Sequence, residues 1–508
     1  MSTGSISGNK LPVVHRLSPC SPLGSASRKQ GSKASLDEIL HRDSLRLRYL
    51  SEVQKSGSSA KKQGSSDQTY PAKQNIVDGL PGVYEYTVIA GYGTPAQHFP
   101  LSFDASGMSK LRCKPCLSGT GSASCGKKKA FDPSKSSSFY KVPCDSPKCR
   151  GTSCSADGSC AFTLQNSTHV YGNGTLVADT FTLSTSLSVQ GFAVGCLQVG
   201  NLFRDDNEVA VGNIDLSLSR NSLVSRLLPY VPTGAAPFSY CLPGDTDTHG
   251  FLSILPDLSQ YKSNPDVKFV PLVNQPTGPN FYFVDLVGIT VHGKDLPFPP
   301  AAYRGNGTMI ETQSKFSYLS PPIYAALRDE FRRAMKQYQR APAFGGLDTC
   351  YNVTGYASIT VPTMALMFGN GVVMDLDSRQ YLYFFREHEN EHFPFMCLAF
   401  AAAPDEEFPW NSLGIQMQRT KEVVYDVQGK QCWVIVFLMK VFLSKCVSAN
   451  SSVLEMSVNW TGRRSHPRFS HGQSRTMVPS AGFPSIVVPK YKLRFEDDSD
   501  SHYRALMP

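Results

Sequence analysis

Two carboxylates in this sequence stand in matching settings. Asp104 ends the apolar run of "LSFDASGMSK" (101–110), and Glu311 ends that of "GTMIETQS" (307–314). Small or hydroxylated residues follow each, and 207 positions separate them. One such carboxylate is as easily a turn cap as a catalytic acid. Two of them, each at the end of an apolar strand, suggest two similar lobes that each deliver one carboxylate to acid–base chemistry. Other chemistries find less support. There is no G-x-S-x-G elbow and the histidines are scattered. His388 and His392 have a metal-compatible i, i+4 spacing, but they lie in a polar segment between expected strands, where a solvated turn is the simpler reading.

The elements that must position the two acids read as strands. From about residue 83 the chain alternates short β runs with Gly, Pro and Asn, among them "VYEYTVIAGYG", "HFPLSFD", "FTLSTSLSVQGFAVG", "KFVPLV", "FYFVDLVGITVHG", "ITVPTMALMF", "GVVMDL" and "KEVVYDV". That pattern predicts an all-β architecture. A helix is expected over 321–338, where Ile323, Leu327, Phe331 and Met335 recur every fourth residue behind a Pro pair. A shorter one is expected within 221–231.

Residues 1–80 read as a pro-segment or disordered leader. Polar, low-complexity stretches flank "SLDEILHRDSLRLRYLSEV", in which Leu36, Ile39, Leu40, Leu47 and Leu50 have helical spacing. Such a basic amphipathic helix could cover an acidic cleft. The formal net charge is +9, of which the leader carries +6 and residues 432–508 carry +5, leaving −2 for 81–431. The basic charge therefore lies in the flanks, and no nucleic-acid partner is expected. No apolar run reaches the ~18 residues of a membrane span.

Seven of the 14 cysteines (Cys113, Cys116, Cys125, Cys144, Cys149, Cys154 and Cys160) fall within 48 residues rich in Ser, Gly, Lys and Pro. A loop of that composition buries little and needs covalent staples, so disulfides are the expected reading; "CKPC" as a zinc ligand pair has no second CxxC and no histidine nearby. Six sequons, at Asn166, Asn173, Asn306, Asn352, Asn450 and Asn459, agree with a secretory route. "MSTGSISGNKLPVVHRLSPC" lacks a signal-peptide core and is read as an incomplete start.

In the order of these segments the chain resembles the pepsin-like aspartic peptidases, in the plant nepenthesin-like branch. "VVHRLSPCSPL", "YTVIAGYGTPAQHFPLSFDASG", the cysteine-rich insert with "FDPSKSSSFYKVPCDSPKC", "FSYCL", "GTMIETQSKFSYLSPPIYAALRDEF", "LDTCYNVTG", "CLAF" and "SLGIQMQRTKEVVYDV" are similar to segments of that branch, over about 11–430. The resemblance implies a bilobal all-β fold with an extended polypeptide substrate or protein ligand in the cleft between lobes. It implies that Asp104 and Glu311 hold a water and share one proton, with no cofactor and no metal. A monomer, secreted to the apoplast or sent to the vacuole, is expected. The corresponding division is a leader (1–80), an N-terminal lobe (81–265) with a cysteine-rich insert (113–160), a C-terminal lobe (266–431) and a divergent tail (432–508).

The motifs depart from the family's Asp-Thr/Ser-Gly. The first site reads Asp104-Ala105-Ser106 and the second Glu311-Thr312-Gln313. The family's hydroxyl after the acid bonds across to the opposite lobe; Ala105 cannot do this, whereas Thr312 could. Ser106 and Gln313 bring a Cβ where the family has Gly. Glu311 carries an extra methylene, and misplacement by about 1 Å can cost about 10²-fold. Asn166 falls where the flap tyrosine belongs, with Tyr171 as a possible substitute. The expectation is a weak or inactive aspartic endopeptidase. The alternative is a non-catalytic binding protein on the same scaffold, such as an inhibitor of secreted glycan-degrading enzymes.

Overall fold

Apolar β runs bounded by turn residues can bury themselves only by pairing, and they do so in two equivalent ways. In the computed structural model, strand Gln97–Asp104 runs parallel to Gly212–Asp215, with Asp104 opposite Asp215. Strand Lys110–Leu117 then returns antiparallel to Gly212–Asp215 and parallel to Ser188–Gly200. The second half repeats this. Thr308–Ile310 runs parallel to Asn411–Leu413, and Ser317–Leu319 returns antiparallel to it and parallel to Phe400–Ala402. The two-lobe expectation is met, with each carboxylate at the end of the first strand of its motif. The structure describes residues 9–16, most of 36–50, 73–75, 85–104, 108–117, 129–149, 153–165, 170–200, 210–228, 236–244, 250–274, 280–385, 394–403, 410–419, 421–427, 431–435 and 485–487, with isolated positions between.

An antiparallel sheet joins the halves. Its order is Asn9–His15, Gly250–Ile254, Phe238–Cys241, Glu422–Asp426, Gln431–Ile435 and Val267–Val273. A strand of the leader thus occupies one edge of this sheet. Strand Gln431–Ile435 starts at the expected boundary of the tail and lies inside the sheet, and Ser485–Val487 pairs with Ser358–Thr360. Beneath the sheet, Phe238 stacks on Tyr425 at 4.3 Å, and Tyr282 meets Tyr425 at 4.6 Å.

The run "FTLSTSLSVQGFAVG" resolves into a hairpin of Val170–Thr182 and Ser188–Gly200. Both expected helices form, over Pro321–Ala334 and Leu223–Leu227. The first starts with Pro at its N-terminus and buries Ile323, Leu327 and Phe331. The cysteine-rich insert is stapled by Cys144–Cys154 and Cys149–Cys160, while Cys113 crosses to Cys196. Cys113 of "CKPC" is therefore a disulfide partner. A fourth bridge, Cys350–Cys397, pairs neighbouring strands of the C-terminal lobe. No helix among the described residues is long and apolar enough to cross a membrane. His388, His392 and Asn166 lie outside the described residues.

Trp410 packs at the base of the second motif. It is 1% exposed, meets Phe281 and Phe283 edge-on, and directly precedes the strand paired with Thr308–Ile310. Trp410→Ala should lower unfolding free energy by about 3–5 kcal/mol through cavity formation, measurable as a shifted urea midpoint at unchanged m-value.

Candidate functional site

The leader's helical residues, 39–47, bury Ile39, Leu40 and Leu47, and Leu50 follows them into the core. Leu40 packs against Gly345, which has φ +56 and no room for a side chain. The expected apolar spacing is therefore real. Two charged residues share its face: Asp43 and Arg46 fall at i+4 and i+7 from Ile39, and both are buried. Neither can stay ionised there without partners.

Arg46 finds them in the two candidate acids. Its Nη1 and Nη2 donate to Asp104 Oδ2 and Oδ1 at 3.0 and 2.8 Å. Its Nε and Nη2 donate to Glu311 Oε1 and Oε2, both at 3.2 Å. The two carboxylates therefore face one another across a single nitrogen. The three side chains are 2%, 7% and 2% exposed. Burial, and then the charge of Asp104, raise the Glu311 pKa above its ordinary value, while Arg46 pulls it down. The sequence-predicted pair is brought together, with the leader's cation between its members.

Asp43 anchors the same helix to the turn after Glu311. It accepts from the backbone N–H groups of Lys315 (2.8 Å) and Phe316 (3.0 Å) and from the Tyr318 hydroxyl (3.0 Å). Burial pushes its carboxyl up to about 7 against those donors. The Lys315 side chain turns to Glu85 at 2.7 Å, and His15 of the leader strand lies 3.8 Å from the same oxygen.

The turn Glu311-Thr312-Gln313 behaves differently from the expectation. The Thr312 hydroxyl, expected to cross between lobes, makes no hydrogen bond. Gln313 does the work instead. Its side-chain amide donates to the Phe103 carbonyl at 2.8 Å, beside the first acid and in the opposite lobe. Its backbone N–H donates to Glu311 Oε1 at 2.6 Å, so the Cβ at this position does not displace that donor. Gln418 holds the strand end from behind, donating to the Glu311 and Leu413 carbonyls. Residues 105–107 lie outside the described residues.

A second buried group sits behind Asp104. The Asp215 carboxylate accepts from Ser217 N–H (2.8 Å) and Ser219 Oγ (2.6 Å), and burial pushes it up to about 6. Lys110, 4% exposed, is lowered by burial and held up by the charges of Asp215 and Asp104. Nothing in the sequence singled out Lys110 or Asp215, and Gln313 stood out only for the Cβ it brings to the motif. Arg46 did leave a signal: with Asp43 it interrupts an apolar helical stripe, in the register where a core residue is expected.

Two carboxylates on matching motifs of two lobes, fed by a single sheet, are the arrangement of the pepsin fold. The sequence comparisons agree. Family models described as xylanase inhibitor N-terminal and C-terminal match residues 86–254 and 281–433. The chain belongs to the plant pepsin-like aspartic protease family. It is 31% identical to aspartyl protease AED1 of Arabidopsis thaliana over 84% of this chain and 86% of that one. To aspartic proteinase nepenthesin-2 of Nepenthes gracilis it is 26% identical, over 68% and 76%. Basic 7S globulin from soybean shares the fold, with TM-score 0.54 at 19% identity over 70% of this chain and 94% of that structure.

Replacing Arg46 by Met keeps the bulk and removes the cation, leaving two buried carboxylates in opposition. The expected loss is about 3–5 kcal/mol at pH 7. Without Arg46 the folded pKa of Glu311 rises further above its unfolded value. A raised carboxyl costs stability while the pH is above its folded pKa, and the cost fades as pH falls towards the unfolded value. Urea unfolding should therefore show a larger deficit at pH 7 than at pH 4.5.

Proposed function

We propose that this protein is a latent aspartic endopeptidase in which the leader's own arginine occupies the place of the catalytic water. The observation that carries the reading is the Arg46 guanidinium bonded to Asp104 and Glu311 at once. With Arg46 withdrawn, two close carboxylates cannot both remain ionised and retain one proton between them. The ionised member then accepts a proton from a water as that water attacks the peptide carbonyl, and the protonated member polarises the carbonyl oxygen. An extended polypeptide would lie in the cleft that the leader helix now fills. Glu311 in place of an aspartate favours a low rate, since its reach is longer by one methylene. Four disulfides among the described residues support an extracellular or vacuolar setting for a chain that acts as a monomer.

A second reading has its own support. The unbonded Thr312 hydroxyl and the Glu311 substitution leave the interlobe scaffold intact through Gln313. Both family models are also described by xylanase inhibition. On this reading the protein binds a secreted glycan-degrading enzyme and cleaves nothing.

An acid-pH assay on a denatured protein substrate separates the two. The latent-peptidase reading expects slow, pepstatin-sensitive cleavage that rises at least about tenfold in Arg46→Ala, as ground-state occupation of the site is relieved, and disappears in Asp104→Asn. Absence of cleavage from every variant, together with dose-dependent inhibition of a xylanase, would establish the binding reading instead.

A further inference from the structure

The structure assigns a phosphate site to the C-terminal lobe, where Arg328 and Arg332 of helix Pro321–Ala334 meet Arg340 and Tyr351 of the strand pair Arg340–Ala341 and Cys350–Asn352. Its ligand is a dianionic phosphate group, free or carried by a polypeptide. Among the described residues none of these four bonds to Asp104, Glu311 or the leader, so the inference holds whether or not the protein cleaves peptides.

Three guanidiniums converge on one residue. Arg328 Nη1 lies 3.5 Å from Asp348 Oδ2, and Arg332 Nη2 lies 3.3 Å from Oδ1. Arg332 Nη2 and Arg340 Nη2 both donate to the Asp348 carbonyl, at 2.8 and 3.1 Å. Arg332 Nε donates to Thr349 Oγ1 at 3.1 Å, and Arg328 Nε meets the exposed Asp329 at 2.9 Å. Over residues 328–351 five Lys and Arg stand against three Asp and Glu, a net +2, whereas 81–431 as a whole carries −2. Cations held this close repel one another, and a dianion relieves that repulsion.

The donors left over suit an oxyanion. Nη2 of Arg328, Nη1 of Arg332, and Nε and Nη1 of Arg340 have no protein acceptor among the described residues. The Arg328, Arg332 and Asp348 side chains are 29%, 24% and 37% exposed, so an ion can reach them. Guanidinium forks match phosphate oxygens in pairs. Tyr351 adds an independent observation. It is 1% exposed, it is the cross-strand partner of Arg340, and its hydroxyl makes no hydrogen bond. Burial raises that phenol to about 12, against the charges of Arg340 and Arg332. A buried hydroxyl without a partner is costly. An oxyanion held by Arg332 and Arg340 supplies the missing acceptor.

Isothermal titration calorimetry of the full-length protein at pH 8 tests this, with potassium phosphate as the probe and acetate as a monoanion control at equal ionic strength. Phosphate should bind saturably at one site per chain, at least about tenfold more tightly than acetate. Arg340→Gln should weaken phosphate by at least about tenfold and Tyr351→Phe by about threefold, since each removes a donor to the anion. Arg340 is exposed and Tyr351→Phe deletes an unbonded oxygen, so both variants should fold. Without phosphate, the urea midpoint of Tyr351→Phe should equal or exceed that of wild type, which a purely structural hydroxyl would not give. No saturable binding, acetate as tight as phosphate, or undiminished affinity in Arg340→Gln would overturn the inference. A phosphoserine peptide that binds this site more tightly than inorganic phosphate supports it with a polypeptide as the carrier; a weaker one supports it with the free ion.

Discussion

A single guanidinium bridging two carboxylates from opposite halves of the chain is the contact on which the rest of this structure depends. Each carboxylate arrives at the end of a strand whose partners are fixed by apolar burial. Bringing the two together inside the protein with both ionised would be strongly unfavourable without a cation. Arg46 supplies it, and because Arg46 belongs to the leader, the leader becomes part of the folded body. The strand Asn9–His15, the buried Leu47 and Leu50, and the Asp43 anchor hold the leader in the same place.

The second constraint is the link between lobes at the site. In the family this is a hydroxyl that follows each acid; here the hydroxyl of Thr312 is idle and an amide two residues after the acid spans the gap. The turn Glu311-Thr312-Gln313 therefore keeps both structural duties of the family's motif, the crossing bond and the N–H to the acid, while changing two of its three residues, the acid and the glycine. That separates the architecture of the site from its chemistry. Loss of the usual residue types says nothing against the fold.

Much of this was legible in the sequence. The β runs, the two acids at strand ends, the leader helix and the disulfide staples each rest on local patterning, which a linear reading captures because period and turn chemistry are local properties. The flanking segments misled. The leader looked partly unstructured and the tail looked detached, because strands such as Asn9–His15 and Gln431–Ile435 are stabilised by partners far along the chain, at Gly250–Ile254 and Val267–Val273.

By itself the sequence singled out the two candidate acids: Asp104 and Glu311 are set apart by what precedes and follows them. Only the tertiary structure decided what those residues face. Arg42, Arg46 and Arg48 are equivalent in composition and lie on one short segment. Helix rotation against the two lobes places Arg46 on the buried face that Asp43 shares, where it meets both carboxylates. The same holds for Gln313, Lys110 and Asp215. Their roles come from partners supplied by other strands, and burial is what turns those partners into requirements.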